Sequence, residues 1–148
     1  MSLPPNPWLI AGGLLSAAAA LLHLAVIAGG PDWYRFFGAG EGMARMAEQG
    51  LARPALITLG IAALLAVWAA YAFAGAGLIP RLPMMRAALV AITAVYLLRG
   101  LVLLPMLALR PDKVGAFALW SSLIVLAYGL AYAIGTWRAW PALSAGRP

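Results

Sequence analysis

The sequence predicts an all-α membrane protein: a single domain, residues 1–148, in which four transmembrane helices form an up-down bundle, with a short amphipathic segment between the first two. Of its 148 residues, 65% are hydrophobic and 9% are charged, and the mean hydropathy is +0.94. A soluble domain of this size leaves too much surface in water to hide so many apolar side chains. Four apolar segments are each long enough to cross about 30 Å of hydrocarbon.

We place the spans at 8–28, 55–78, 84–109 and 114–137. The first has small residues after its apolar stretch, as a signal peptide has, but "MSLPPNP" carries no Lys or Arg, so we interpret it as a retained span. Because helices in lipid associate through small side chains, stripes of such residues predict the contact seams. These stripes are Gly12, Ser16 and Ala20; Ala62, Ala66, Ala70 and Ala74; and Ala127, Ala131 and Gly135.

The long connection at 31–53 predicts an interfacial or lid segment. Asp32, just after Pro31, is a candidate N-cap for a short helical turn. Further on, apolar residues recur at helical spacing, which predicts an amphipathic helix; they are Met43, Met46, Ala47 and Leu51. Four aromatic residues precede this helix and suit the headgroup region. The segment is either an interfacial anchor or a lid over a cavity.

The charges divide unevenly between the two membrane faces. The face that carries both termini, here the terminal face, has basic residues and no acid: Arg81, Arg86, Arg138 and Arg147. The opposite face has five basic residues and all four acids, Asp32, Glu41, Glu48 and Asp112. We place the termini in the cytoplasm of a bacterial inner membrane. The net charge of +6 is explained by anionic lipid headgroups, so no nucleic-acid partner is expected.

Arg99 lies in the apolar run "VYLLRGLVLLP", 13 residues after Arg86 and 11 before Arg110. A guanidinium this deep in a span must face the bundle interior or water, and its donors need acceptors. Measured from the opposite face, His23 lies about six residues deep, Ser121 and Ser122 about seven and Arg99 about ten. Tyr96 shares the helix face of Arg99.

Further partners for Arg99 follow from position in the chain. Trp120 can stack on the guanidinium, and Glu41 would reach it if the glycine-rich loop "GAGEG" dipped inward. Pro105 leaves the carbonyl of Leu101 without its helical donor. The predicted site is therefore built from Arg99, His23, Tyr96, Trp120, Ser121 and Glu41. Arg99 either fixes the packing of the helices or receives an anion, such as a carboxylate, a lipid phosphate or a quinone oxygen.

Several chemistries lack their residues, and no metal or cofactor is predicted. The chain has no cysteine and one histidine, so thiolate sites, a bis-histidine haem and a zinc site are excluded. A haem held by His23 and one of six methionines stays open. The sole lysine, Lys113, lies in a loop, which excludes a retinal protein, and no acid lies in a span, which counts against proton-coupled export.

The stretches "GGPDWYRFFGAGEGMA", "VYLLRG" and "WSS" together resemble a pattern of small four-span bacterial membrane proteins with no assigned role. The resemblance covers most of the chain and implies no activity. The helix layout, with polar residues near one membrane face, is similar to that of DoxX-like proteins in architecture alone.

Three hypotheses for function follow. In the first, the pocket around Arg99 binds a membrane lipid headgroup or a small anionic amphiphile. In the second, the protein is an accessory subunit of a larger membrane complex, or a homo-oligomer, that docks through its small-residue seams. In the third, His23 and Glu41 act as acid and base on a lipid-soluble substrate.

Overall fold

The computed structural model describes residues 5–145, and within them the chain is all helix, with no strand. Arg147 of the predicted terminal face lies outside this range. The helices, in chain order, are α1 (Pro7–Gly29), α2 (Pro31–Phe36), α3 (Glu41–Glu48), α4 (Arg53–Gly75), α5 (Met85–Leu101), α6 (Leu103–Leu109) and α7 (Ala116–Ser144). A 3-10 turn, Pro111–Lys113, joins α6 to α7. The predicted all-α fold class is confirmed.

Four of these segments are long and apolar enough to cross a membrane, as predicted. They are Pro7–Gly29, Arg53–Gly75, Met85–Leu109 and Ala116–Ser144. The second ends earlier than the predicted residue 78, because Gly77 takes a left-handed φ of 82° and Leu78 N–H donates to the Phe73 carbonyl, which closes the helix. The last extends beyond the predicted residue 137, because a helix does not have to end where its hydropathy falls.

The third span is interrupted near Pro105. α5 ends at Leu101 and α6 begins at Leu103. Pro105 has no N–H to donate to the carbonyl of Leu101, and its ring crowds that carbonyl, as expected from the sequence. Arg99 therefore lies in the last turn of α5.

The Asp32 prediction is wrong. Gly30 is the N-cap of α2, without a side-chain cap, and its φ of 73° and ψ of −154° suit glycine. Pro31 takes the first helical position, which places Asp32 inside the first turn. There the Asp32 carboxylate accepts a hydrogen bond from Arg35 at 3.3 Å.

The described residues fall into two compact units. Within residues 5–145, the first unit comprises 5–15 with 68–145, and the second is Ser16–Val67. In the first unit α5 packs along α7. The buried positions of α5 recur every three or four residues, at Met85, Leu89, Ile92, Tyr96 and Gly100. This spacing is close to the roughly 3.6 residues of one helical turn, so the buried positions lie on one face of α5.

Glycines set the closest approach between α5 and α7. A Cβ atom on Gly100 would lie 2.9 Å from the Cα of Leu126, and one on Gly129 would lie 3.0 Å from the backbone nitrogen of Leu97. Each helix thus presents a glycine to a leucine of the other, three residues apart in both. Glycine allows this approach because it has no side chain.

The predicted seams are confirmed in part. Gly12, Ser16 and Ala20 of α1 are all buried, as are Ala131 and Gly135 of α7, whereas Ala127 is exposed. In α4 the predicted stripe does not stay on the buried face, since Ala66 is exposed and Ala70 is half-buried. The buried row of α4 is instead Thr58, Ala62, Leu65, Ala69 and Ala72. A step of four residues turns about 40° past a full helical turn, so a stripe with that spacing leaves the contact face.

The second unit has a small core where α2 and α3 meet the end of α1. Val26, Tyr34 and Ala44 are buried there, and Met43, Ala47 and Phe37 pack against them. The predicted apolar face of α3 is therefore confirmed in part: Met43 and Ala47 pack against the core. Leu51 is exposed, and the buried residue of α3 is Ala44, which the sequence did not predict.

Candidate functional site

Arg99 is anchored to α7 by a buried hydroxyl. Its Nη1 donates to Ser122 Oγ at 3.2 Å, and Ser122 is buried, while Arg99 itself is exposed. The register of α5 on α7 explains the pair, because Gly100 faces Leu126 and Ser122 lies one turn before Leu126. A guanidinium has five N–H donors, and among residues 5–145 Arg99 makes this one hydrogen bond.

Of the two adjacent serines, the structure brings Ser122 rather than Ser121 to Arg99. Ser121 Oγ donates to the Ala118 carbonyl of its own helix at 3.3 Å. Neighbouring helical residues point about 100° apart, so one serine faces α5 and the other does not. Trp120 is 64% exposed and makes no ring contact with Arg99 among the described residues.

Tyr96 lies in an aromatic cluster that the sequence did not predict. Its ring, 5% exposed, lies 5.0 Å from Trp68, 5.5 Å from Tyr128 and 5.3 Å from Tyr132, measured between ring centroids. Tyr132 also donates its hydroxyl to the Trp68 carbonyl at 3.0 Å. Tyr128 and Tyr132 are four residues apart on one helix face, which is the signal that sequence reasoning missed. The cluster packs one turn away from the exposed Arg99.

Glu41 lies in the second unit, where it bonds two other arginines. Its carboxylate accepts from Arg35 at 2.9 and 3.0 Å and from Arg45 at 3.2 Å. Arg35 also donates to Glu48 at 2.6 Å. The hydrogen bonds from Arg35, and then those from Arg45, lower the pKa of Glu41 from 4.5 to about 2. The hydrogen bonds that Arg35 donates to Glu41 and Glu48 raise the pKa of Arg35.

All four acids form ion pairs with arginines other than Arg99. Asp32, Glu41 and Glu48 all pair with Arg35, and Asp112 lies 3.9 Å from Arg110. Across the described chain, Arg99 is therefore a cation within an apolar span to which no carboxylate is paired.

His23 lies half-buried in α1, in the second unit, and its ring is held by its own helix. Nδ1 lies 2.7 Å from the carbonyl oxygen of Ala19. A carbonyl can only accept, so Nδ1 carries the hydrogen and Nε2 of the neutral ring is an acceptor. Within residues 5–145, no group of three or more His, Cys, Asp or Glu side chains is placed to hold a metal ion.

Two cavities in the first unit lie away from the predicted site residues. One is lined by the start of α1, the turn after α4 and the end of α7, and the other by residues 81–87 together with Leu143. None of the six predicted site residues lines either cavity. Both are basic, with Arg81 in their common wall.

The four apolar helices define the class as a multi-pass membrane protein. No protein family, curated protein or solved structure matches the chain. The particular activity must therefore be argued from the side chains themselves.

Proposed function

We propose that the protein binds the anionic group of a membrane lipid or another amphiphile at Arg99, in a bacterial inner membrane with both termini in the cytoplasm. The observation that carries this proposal is the unbalanced charge of Arg99. The four acids pair with other arginines, and a cation in a span needs compensation.

The anchoring of Arg99 supports an anion site. Ser122 holds Nη1 from one side, which restricts the guanidinium while its other donors stay available to a ligand. A planar guanidinium binds a carboxylate or a phosphate through two parallel hydrogen bonds. Within the apolar part of a membrane such a charged pair is stronger than in water, because the dielectric constant is lower.

Buried aromatic rings pack beside the last turn of α5. The ring of Tyr96, one turn before Arg99, contacts the rings of Trp68, Tyr128 and Tyr132. A rigid backing limits the conformations of the last turn of α5, so less freedom is lost when a ligand binds.

The test is lipid retention by Arg99 variants in nanodiscs of phosphatidylcholine with a minor fraction of phosphatidylglycerol. We expect Arg99→Leu to lower phosphatidylglycerol enrichment by about tenfold while the protein stays folded. Arg99→Lys keeps the charge but cannot form two parallel hydrogen bonds, so it should lose less phosphatidylglycerol enrichment than Arg99→Leu. Arg110→Leu is the matched control and should retain the lipid. Unchanged enrichment in Arg99→Leu, or failure of that variant to fold, would contradict the proposal.

The same preparation tests the accessory-subunit alternative. A solitary monomer or homodimer with co-purified anionic lipid supports binding at Arg99, whereas stoichiometric recovery of another membrane protein supports the accessory role. The enzyme alternative is weakened by the ion pairs of Glu41, because a carboxylate with a pKa of about 2 is a weak base near neutral pH.

A further inference from the structure

Within residues 5–145, the first unit has an end that carries arginines and no Asp or Glu, where the start of α1, residues 76–86 and the end of α7 meet. Asn6 joins these segments: its side-chain Nδ2 donates to the Gly135 carbonyl at 2.8 Å, and its backbone N–H donates to the Ala76 carbonyl at 3.3 Å. The Asn6 side-chain oxygen also accepts from the N–H groups of Trp8 and Leu9, which caps α1. We call this region the basic end.

Two cavities adjoin each other at the basic end. The first has a volume of about 500 Å³ and is lined by Asn6, Gly77, Arg81, Arg138 and Leu143, among others. The second, of about 570 Å³, has Arg81, Met85, Arg86 and Leu143 in its wall. Arg81 and Leu143 line both. Each volume lies within the range of small-molecule sites.

Arg86 and Arg138 of these cavities lie against aromatic rings, which do not neutralise a positive charge. Arg81 donates to the carbonyls of Ala142 and Ala145, at 2.5 and 3.4 Å, at the end of α7. Arg86 lies over the ring of Trp140 at 4.5 Å, and Arg138 lies 6.0 Å from the ring centre of Trp8. The Asp and Glu side chains, all of which lie within residues 5–145, pair elsewhere, with Arg35, Arg45 and Arg110.

The tryptophans indicate where these cavities lie in the membrane. Trp8, Trp137 and Trp140 are all exposed at this end, next to the ends of apolar helices. Tryptophan favours the headgroup level of a bilayer, with its ring against the acyl chains and its N–H in the polar layer. The basic cavities therefore open at the depth of lipid phosphates.

We propose that the basic end binds an anionic phospholipid with two phosphate groups, one phosphate in each cavity. Arg138 binds the phosphate of the first cavity, Arg86 that of the second, and Arg81 lies between them in the common wall. Basic pockets between transmembrane helices attract anionic headgroups, and arginine suits phosphate through paired hydrogen bonds. This site is separate from Arg99, so it does not rest on the function proposed above.

The test compares lipid binding by the full-length protein in detergent, using native mass spectrometry. The probes are diphosphatidylglycerol, with two phosphates, phosphatidylglycerol, with one, and zwitterionic phosphatidylcholine. We expect the wild-type protein to prefer diphosphatidylglycerol, and Arg86→Gln with Arg138→Gln to lower its affinity by about 10- to 30-fold. The control variant, Arg53→Gln with Arg110→Gln, removes the same charge elsewhere. It should change the affinity for diphosphatidylglycerol less than about twofold.

Four outcomes would overturn the proposal. The first is equal affinity for the two anionic lipids, and the second is an equal loss of lipid affinity in both double variants. The third is unchanged lipid binding by the Arg86 and Arg138 double variant. The fourth is displacement of the lipid by an equal concentration of inorganic diphosphate, which would indicate a soluble ligand. If the double variant unfolds, the single variants Arg86→Gln and Arg138→Gln replace it, each expected to lose part of the preference. Arg99→Leu should leave the binding of diphosphatidylglycerol intact, so the proposal for the basic end and the proposal for Arg99 are tested separately.

Discussion

Gly100 of α5 lies against the backbone of Leu126 in α7, so closely that a Cβ atom on Gly100 would be 2.9 Å from the Leu126 Cα. The reciprocal contact joins Gly129 to Leu97. This pair of contacts fixes the register of the two helices. It thereby brings Arg99, one residue before Gly100, to Ser122, which lies one turn before Leu126.

Replacing Gly100 with alanine should therefore destabilise the protein. The added methyl group meets backbone, which cannot rotate aside, and overpacking of this kind costs about 1–3 kcal/mol. The measurement is thermal unfolding in detergent. Gly60→Ala is the matched control, because a Cβ on Gly60 has no neighbour within 4 Å; it should be neutral or mildly stabilising. An equal loss in both variants would contradict the packing argument.

The two most deeply buried tyrosines should respond oppositely to loss of their hydroxyl groups. The hydroxyl of Tyr34 is buried and has no hydrogen-bond partner among residues 5–145, so Tyr34→Phe should be neutral or stabilising. Tyr132 donates to the Trp68 carbonyl at 3.0 Å, so Tyr132→Phe should cost about 0.5–1.5 kcal/mol. Unfolding midpoints of the two variants test this, and a larger loss for Tyr34→Phe would contradict it.

Acidification should weaken the α2–α3 segment through Glu41. The pKa of Glu41 is lowered from 4.5 to about 2 by its hydrogen bonds with Arg35 and Arg45. A lowered pKa means that the ionised group favours the folded segment, so this contribution is complete above about pH 4.5 and is lost as the pH falls towards 2. Amide exchange of residues 31–48 at pH 6 and pH 3 in low salt measures it.

The control for acidification is Glu41→Gln, which cannot ionise. In this variant the protection of α2 and α3 should depend less on pH than in the wild-type protein, whereas Asp112→Asn should keep the full wild-type dependence in that segment. A pH dependence that is identical with and without the Glu41 carboxylate would refute its role.

Replacing Pro105 with alanine should join α5 and α6. The new N–H can donate to the carbonyl of Leu101, which removes the interruption at Val102. We expect slower amide exchange for residues 101–106 and higher thermal stability. Pro141→Ala is a useful comparison, because Pro141 lies inside α7 without ending it, so its effect should be smaller. Unchanged exchange at 101–106 would show that Pro105 does not cause the break.

The proposed orientation can be tested by single cysteines, since the chain has none. Ala145→Cys should be protected from a membrane-impermeant maleimide in intact cells, whereas Ala39→Cys should be labelled. The positive-inside rule underlies this expectation, because the short turn around Arg81 is basic and carries no acid. The reverse labelling pattern would place the termini outside.

The sequence alone determined the class of the protein and the number of its spans. Long apolar runs must form helices in lipid, because no water is present there to satisfy the backbone. The effect of Pro105 on the carbonyl of Leu101 was also predicted from the sequence, whereas the division of the third span into α5 and α6 was not. The amphipathic face of α3 followed from the spacing of Met43 and Ala47, and both residues pack against the core of the second unit.

Tertiary structure decided which residues meet. Both Ser121 and Ser122 lay at a suitable depth, and only the register of α5 on α7 selected Ser122 as the partner of Arg99. The aromatic cluster around Tyr96 draws on three helices, and the basic end on chain segments more than 50 residues apart. Such contacts depend on the rotation of each helix about its axis. In an alanine-rich sequence that rotation is set by close contacts such as Gly100 with Leu126, and hydropathy does not encode it.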